Sequence, residues 1–328
     1  MQQALRLAVE IPSHRRAAEA FVDLTGVSLS KSTLQRLCAE AGLALAAEQA
    51  ADAQAMVSVP KCEADGAEVH FRQRVEPESE VMSVSADGVM VHLIEEGWKE
   101  VKVVSISAVE SGVPVAEAHV DEKAEVRLSH HSYRAGLWEA RSFGHQLWAE
   151  ACRRGLEHAQ QVVCVSDGAA WIWALMFICF ARRVEVLDWW HAVERLWTLA
   201  RSRLATDSAV ADWVATQKRH LLKDELRQVL HAVRLLYPRG MSLPEGARQA
   251  VGYLFANRWR MRYGSFRQAG YPIGSGTVES ACKVVVQQRM KQAGMRWSRP
   301  GAQAMLALRC TLLSDRWRDT WTALAPPC

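Results

Sequence analysis

Apolar positions along the chain fall into three regimes. Residues 1 to about 55 are alanine-rich with helical spacing; short apolar runs then alternate with helical patterns as far as residue 187; beyond residue 192 everything reads helical. In the first regime, Ala17 to Leu24, the Thr25-Gly26 break and the run from Ser30 to Gly42 predict helix, turn, helix, with Ser30 as N-cap and Leu34, Leu37 and Ala41 facing inward. Lys31, Ser32, Thr33, Gln35 and Arg36 are then free to meet phosphates or base edges, as a recognition helix does, although a plain helical hairpin has the same pattern. In the second regime strands are expected at 81–86, 89–94 and 101–108, with Glu95-Glu96-Gly97 as a hairpin signal. Residues 111–140 read as a loop or small insertion and 142–158 as a helix. Strand, helix and strand follow at 162–166, 169–180 and 184–187.

This order predicts an α/β protein with a mixed sheet flanked by helices. The expected division is a helical, helix-turn-helix-like region at 1–55, a linker at 56–80, a core at 81–191, a helical insertion at 192–270, and C-terminal helices at 271–328 that complete the core.

Composition narrows the class. Apolar residues make up 49 % and charged residues 23 %, as in an ordinary globular protein. The longest apolar run, 169–181, is too short to span a bilayer, and no basic stretch followed by an apolar one opens the chain. An unsecreted, cytoplasmic protein with no membrane partner is expected. The eight cysteines include no C-x-x-C pair and several lie in apolar runs, which favours reduced core thiols over disulfides or zinc. The net charge of +4 hides an asymmetry: from Ala192 onward there are 22 Lys and Arg against 9 Asp and Glu, a net of +13, which leaves −9 for the first 191 residues. An acidic half joined to a basic half suits a metal site beside a polyanion track, and a solvated arginine-rich helical face would look the same.

The candidate chemistry rests on three acids. Asp87 and Asp167 each follow an apolar run and precede a glycine, and Glu279 opens a helical pattern after Pro272-Ile-Gly-Ser-Gly. Carboxylates at strand ends can converge on one sheet edge, and hard divalent cations that serve phosphoryl transfer take such oxygens. Asp-Gly alone is a generic turn signal, and Glu279 alone could be a first-turn acid favoured by the helix dipole; the combination on this strand order is what points to a site. Asp188 and His191 face each other across one helical turn, so Asp188 could orient His191 or simply cap its helix, and Asp188 is also the runner-up second acid. Lys283, Arg289, Lys291, Arg296 and Arg299 follow Glu279 closely and would lay positive charge along a DNA backbone. Lys283 could instead pair with Glu279. Trp213, Trp259 and Trp297 lie among arginines and could stack an unpaired base, although most tryptophans at helical spacing are core.

Taken together, Ser85-Ala-Asp-Gly88, Ser166-Asp-Gly-Ala-Ala-Trp-Ile-Trp173, Leu187-Asp-Trp-Trp-His191, Pro272-Ile-Gly-Ser-Gly-Thr-Val-Glu-Ser280 and Gln288-Arg-Met-Lys-Gln-Ala-Gly-Met-Arg-Trp297 resemble a bacterial insertion-sequence DDE transposase, closest to the ISKra type and related to Mutator elements. The resemblance spans about residues 80 to 320. It implies an RNase H-like catalytic fold in which Asp87, Asp167 and Glu279 bind two Mg²⁺ ions, replaceable by Mn²⁺, with Asp188 and His191 in support. It further implies double-stranded DNA partners (terminal inverted repeats and target DNA), with Lys31, Arg36, Lys283, Arg289, Lys291, Arg296, Trp297 and Trp259 as contacts. A homodimer on paired ends and a nucleoid-associated location go with it. Such enzymes usually carry more sequence ahead of the catalytic domain than stands here before Val81, and the missing part would include end-binding segments. The rival readings are a shortened, inactive relic that binds DNA without cutting, and a structure-selective nuclease.

Overall fold

The computed structural model describes residues 1–58, 75–110, 126–238 and 240–324. At its centre lies one five-stranded sheet: β1 (Val81–Leu93), β2 (Gly97–Val109), β3 (Leu128–Gly136), β4 (Gln161–Ser166) and β5 (Arg183–Leu187), in the order β3-β2-β1-β4-β5. β2 is antiparallel to β1 and β3, while β1, β4 and β5 run parallel. The fold is therefore α/β with a mixed sheet flanked by helices, as expected.

Alternation along β1 divides the core in two. Met82, Val84 and Ala86 face one side; Val89, Val91 and Leu93 face the other. The first side is covered by α4 (Ala140–Arg153) and α5 (Ala170–Cys179), and its core continues into α6 (Trp189–Arg201), α7 (Asp207–Leu222), α8 (Leu226–Leu236), α9 (Glu245–Ala256) and α10 (Tyr263–Gln268). On the second side lie α1 (Gln2–Glu10), α2 (His14–Thr25), α3 (Lys31–Ser58), α11 (Gly276–Ala281) with α12 (Gln288–Met290), and α13 (Arg299–Leu313), which leads into α14 (Trp317–Leu324). Between α11 and α12 the helix widens to a π turn at Cys282–Gln287. Gly42 lets α3 cross α13 closely: a Cβ there would stand 2.5 Å from the Ala304 carbonyl oxygen.

Several expectations are corrected. Segments 81–86 and 89–94 are one strand, so Asp87 lies mid-strand and Gly88 makes no turn. β2 pairs with β1 along its whole length, and glycine at 88 leaves room for the Glu100 side chain. The hairpin at Glu95-Glu96-Gly97 is present, with Glu95 and Gly97 at positive φ. Within 111–140, residues 111–125 lie outside the described region, but 128–136 form β3 and not a loop. Its polar sequence reflects an edge strand whose first half faces water, while Arg134 and Ala135 are buried at its inner end. The helix expected at 142–158 ends at Arg153, and a short 3₁₀ turn follows. At the N-terminus, Ser30 caps α3 by accepting from the Thr33 amide at 3.1 Å, and Leu34 is buried. The helix does not stop at Gly42 but runs on to Ser58, into the stretch expected to be linker; 59–74 lie outside the described residues. None of the six described cysteines is in a disulfide, and no described helix is long and apolar enough to cross a membrane.

Candidate functional site

Register brings three acids to one level. β1 pairs with β4 at an offset of 80 residues, as in Val81 opposite Gln161 and Ser85 opposite Val165. β4 pairs with β5 at an offset of 21, as in Val162 opposite Arg183 and Ser166 opposite Leu187. Asp87, Asp167 and Asp188 are separated by these same intervals, so each stands beside the next where β4 and β5 end and β1 runs on alone with β2. A shared level in parallel strands places their side chains on one face. That face is the one on which α11 packs, because Asp87 alternates with Val89 and Val91.

Asp167 sits in a turn fixed by three contacts. Its Oδ1 accepts from the Ala169 amide at 3.0 Å and the Ser166 hydroxyl at 3.1 Å, and its carbonyl accepts from the Tyr253 hydroxyl of α9. Gly168 has φ +94°, and a Cβ would meet the Tyr253 ring at 2.9 Å, so glycine is required both sterically and conformationally. The helical segment between β5 and Glu279 thus presses directly on the second acid. Asp87 accepts from the Gly88 amide at 2.6 Å and the Cys282 thiol at 3.6 Å. Burial raises its pKa above the ordinary carboxylate range, and the nearby Asp167 charge adds to that, against the Gly88 and Cys282 hydrogen bonds.

Asp188 has a different part. It is 0 % exposed and caps α6. Its Oδ1 accepts from the His191 amide and from His191 Nδ1, both at 2.8 Å; its Oδ2 accepts from the Ser275 amide at 2.7 Å and the Ser275 hydroxyl at 3.0 Å. A carboxylate offers about four acceptor positions, and all are used. Burial works against the charge, but the His191 and Ser275 hydrogen bonds outweigh it and hold the pKa below the usual range. The Ser275 hydroxyl also lies 3.2 Å from Glu279 Oε1, so one residue links Asp188 to the opening of α11. With Nδ1 committed to Asp188, His191 has Nε2 left for the site. The Asp188 hydrogen bond raises its pKa, and the charges of Asp188, Asp167 and Glu279 act in the same direction.

Ligand atoms of Asp188, His191 and Glu279 all lie within 4.8 Å of one another. Asp87 and Asp167 lie outside that close group, although the carboxylates of Asp87, Asp167 and Glu279 are of the kind that suits a hard divalent cation. Asp188 is better placed to orient His191 than to bind metal, since its lone pairs are occupied. Both Asp188 readings made from sequence, cap and orienter, hold together here.

The expected DNA contacts divide. Lys31, Arg36, Lys283, Lys291 and Arg296 are exposed, with Arg36 paired to Glu40 at 2.9 Å. Trp259 is 72 % exposed, stacked by the Arg258 guanidinium. Arg289 is not available to a DNA backbone: it is 1 % exposed and donates to the Ala8 carbonyl at 3.0 Å. Trp297 is half-buried, donates from Nε1 to the Met290 carbonyl, and its backbone pairs with His92 and Ile94 at the β1–β2 hairpin. Arg299 is taken up by a two-pronged ion pair with Glu96. Among the described residues no ion pair joins Lys283 to Glu279. Trp213 packs against the first core.

Tyr253, Ser275 and Cys282 were not foreseen as site residues. Ser275 lies within the quoted motif and Cys282 two residues beyond its end, which was their only signal; Tyr253 had none. Comparison of the sequence with protein-family models and with curated proteins yields no match.

Proposed function

We propose that the protein is a DDE transposase with an RNase H-like core, which cleaves DNA at element ends and transfers the 3′ strand into target DNA. The observation that carries the reading is the alignment of Asp87 and Asp167 at one level of adjacent parallel strands, with α11 bringing Glu279 to the same face. The strand order, with β2 alone running against the other four strands, and the helical segment inserted before Glu279 support the RNase H-like assignment.

In this reading Asp87, Asp167 and Glu279 hold two divalent cations, which would polarise the scissile phosphate and activate the attacking hydroxyl. Asp87 and Asp167 repel one another in the metal-free protein, and binding positive charge relieves that repulsion. Asp188 holds the His191 ring by Nδ1, so that Nε2 can donate to a phosphate oxygen beside the acids. Tyr253 and Ser275 fix the Asp167 turn and the Glu279 helix, which keeps the acids in place without direct contact with substrate. Lys283 and Lys291, exposed on the same helical run, add positive charge where a DNA backbone would approach. A dimer on paired ends and a DNA-associated, cytoplasmic location belong to the same proposal.

The test is metal-dependent nicking of a labelled duplex carrying the terminal repeat that flanks the gene. Nicking at the repeat boundary in Mg²⁺ or Mn²⁺, joined products with target DNA, and loss of both in Asp87→Ala, Asp167→Ala and Glu279→Ala support the reading. Cutting without joining favours the nuclease. Binding without cutting in any metal favours the relic. Cutting that survives Asp167→Ala refutes the assignment of the second acid.

A further inference from the structure

On the second side of the sheet, the side that also carries the acids, a cleft of about 530 Å³ opens between the start of α3, the β1–β2 hairpin and the loop before α13. Its charged lining is cationic: Lys31 comes from α3, Arg289 from the α11–α12 run, and Arg296 from the loop, with the neutral Gln35 and His14 beside them. Among the described residues no acidic one lines it. The rest of the wall is apolar or aromatic, chiefly Ile94, Met305 and Trp297.

Arg289 is the unusual member. It is 1 % exposed, yet no carboxylate pairs with it among the described residues. Its contacts are the Ala8 carbonyl, His14 Nε2 at 3.3 Å and the Trp297 ring at 5.2 Å. A guanidinium removed from water without a counter-charge is costly, and an anion in the cleft would offset that cost. Burial lowers the Arg289 pKa to about 10 and drives His14 down to about 4, so His14 is neutral and accepts the Arg289 hydrogen bond. The N-terminal end of α3, a helix of 28 residues, opens at Lys31 beside the cleft and adds its dipole to the positive field.

We propose that this cleft binds the phosphate of a nucleotide, with the exposed Lys31 and Arg296 on the phosphate, the buried Arg289 charge behind them and the apolar wall on the base or sugar. The volume greatly exceeds that of a phosphate alone and falls in the range of small-molecule pockets. Ten residues of helical run separate Glu279 from Arg289, roughly 15 Å at 1.5 Å per residue. The cleft is therefore a separate site, and the proposal does not depend on phosphoryl transfer at the acids.

The experiment is fluorescence anisotropy of the intact chain with a labelled 5′-phosphorylated pentanucleotide in EDTA, where no metal-dependent chemistry runs. Saturable binding is expected, weakened at least tenfold in Lys31→Glu combined with Arg296→Glu. Both positions are exposed, so an unchanged melting temperature shows that the fold is intact. Displacement by dAMP but not by deoxyadenosine assigns the cleft to a free nucleotide phosphate; displacement only by the unlabelled strand assigns it to a strand phosphate. Absence of saturable binding, a double variant that binds like wild type, or equal displacement by deoxyadenosine and dAMP overturns the proposal. Loss of nicking with binding intact would overturn the transposase reading and leave the cleft standing.

Discussion

Asp87→Asn should stabilise the metal-free protein, although it removes a group the proposed chemistry requires. Adjacent strands lie about 4.8 Å apart, and two unit charges at about 5 Å with an effective dielectric of about 20 repel by roughly 3 kcal/mol. Both carboxyls are only half-buried, so solvent screening brings the gain to roughly 1 kcal/mol. For a chain of this size that corresponds to an upward shift of roughly 1–2 °C in melting temperature. Asparagine keeps an acceptor for the Gly88 amide, so the loss from that contact is small. Since burial, and to a lesser degree the Asp167 charge, raises the folded pKa of Asp87, its ionised form costs stability at neutral pH, and the cost fades as pH falls through that raised value. The gap between variant and wild type should therefore be widest near pH 7.5 and close in mild acid. Thermal melts in EDTA across this range provide the assay. With Mn²⁺ added, wild type should gain stability and the variant should gain much less. A variant that melts below wild type in EDTA at pH 7.5, or a gap independent of pH, refutes the account of a strained acid pair.

Three other expectations concern the frame around the site. Asp188→Asn should lower both activity and melting temperature, because an amide nitrogen facing the Ser275 N–H or the His191 N–H leaves donors opposed; loss of activity with an unchanged melt contradicts its structural part. Glu150 is buried among Arg134, Arg153 and Arg316; burial opposes its charge, but Arg134 and Arg316 outweigh it and hold its pKa at about 2. This contribution, on the order of 3 kcal/mol, is present above the unfolded value near 4.5 and is lost as pH falls toward 2, so Glu150→Gln should melt much lower at pH 7 and converge on wild type in acid. Gly42→Ala should push α3 from α13 and cost about 1–3 kcal/mol in a denaturant melt; no change would mean that the crossing gives way freely.

Particular residues show how far the chain alone could be read. The separations of Asp87, Asp167 and Asp188 are plain in the sequence, but they acquire meaning only once strand register is known, because register depends on which strands pair. The apolar run of β4 was legible since burial on both sides leaves a continuous signal. β3 was not, because an edge strand keeps polar residues toward water and mimics a loop. Asp-Gly at 87–88 suggested a turn, yet the same glycine serves close side-chain approach within a strand. Arg289 was misjudged for its charge, although its position continues a stripe through Val278, Cys282 and Val285, all buried in the second core. That spacing of four, three and four residues was the signal for an inward guanidinium. The contacts that hold the acids, Tyr253 on Asp167 and Ser275 on Asp188, join segments 86 and 87 residues apart and leave no local mark.

The central claim is that Asp87, Asp167 and Glu279 form one metal-binding site, with Asp188 held back to orient His191. Anomalous scattering from crystals soaked in Mn²⁺ tests it most directly. The account predicts manganese bound to carboxylate oxygens of Asp87 and Asp167, with Glu279 in the same centre and the Asp188 hydrogen bonds to His191 and Ser275 intact. Manganese bound through Asp188 with Asp87 left out, or no manganese at this strand level at concentrations that support nicking, would contradict it.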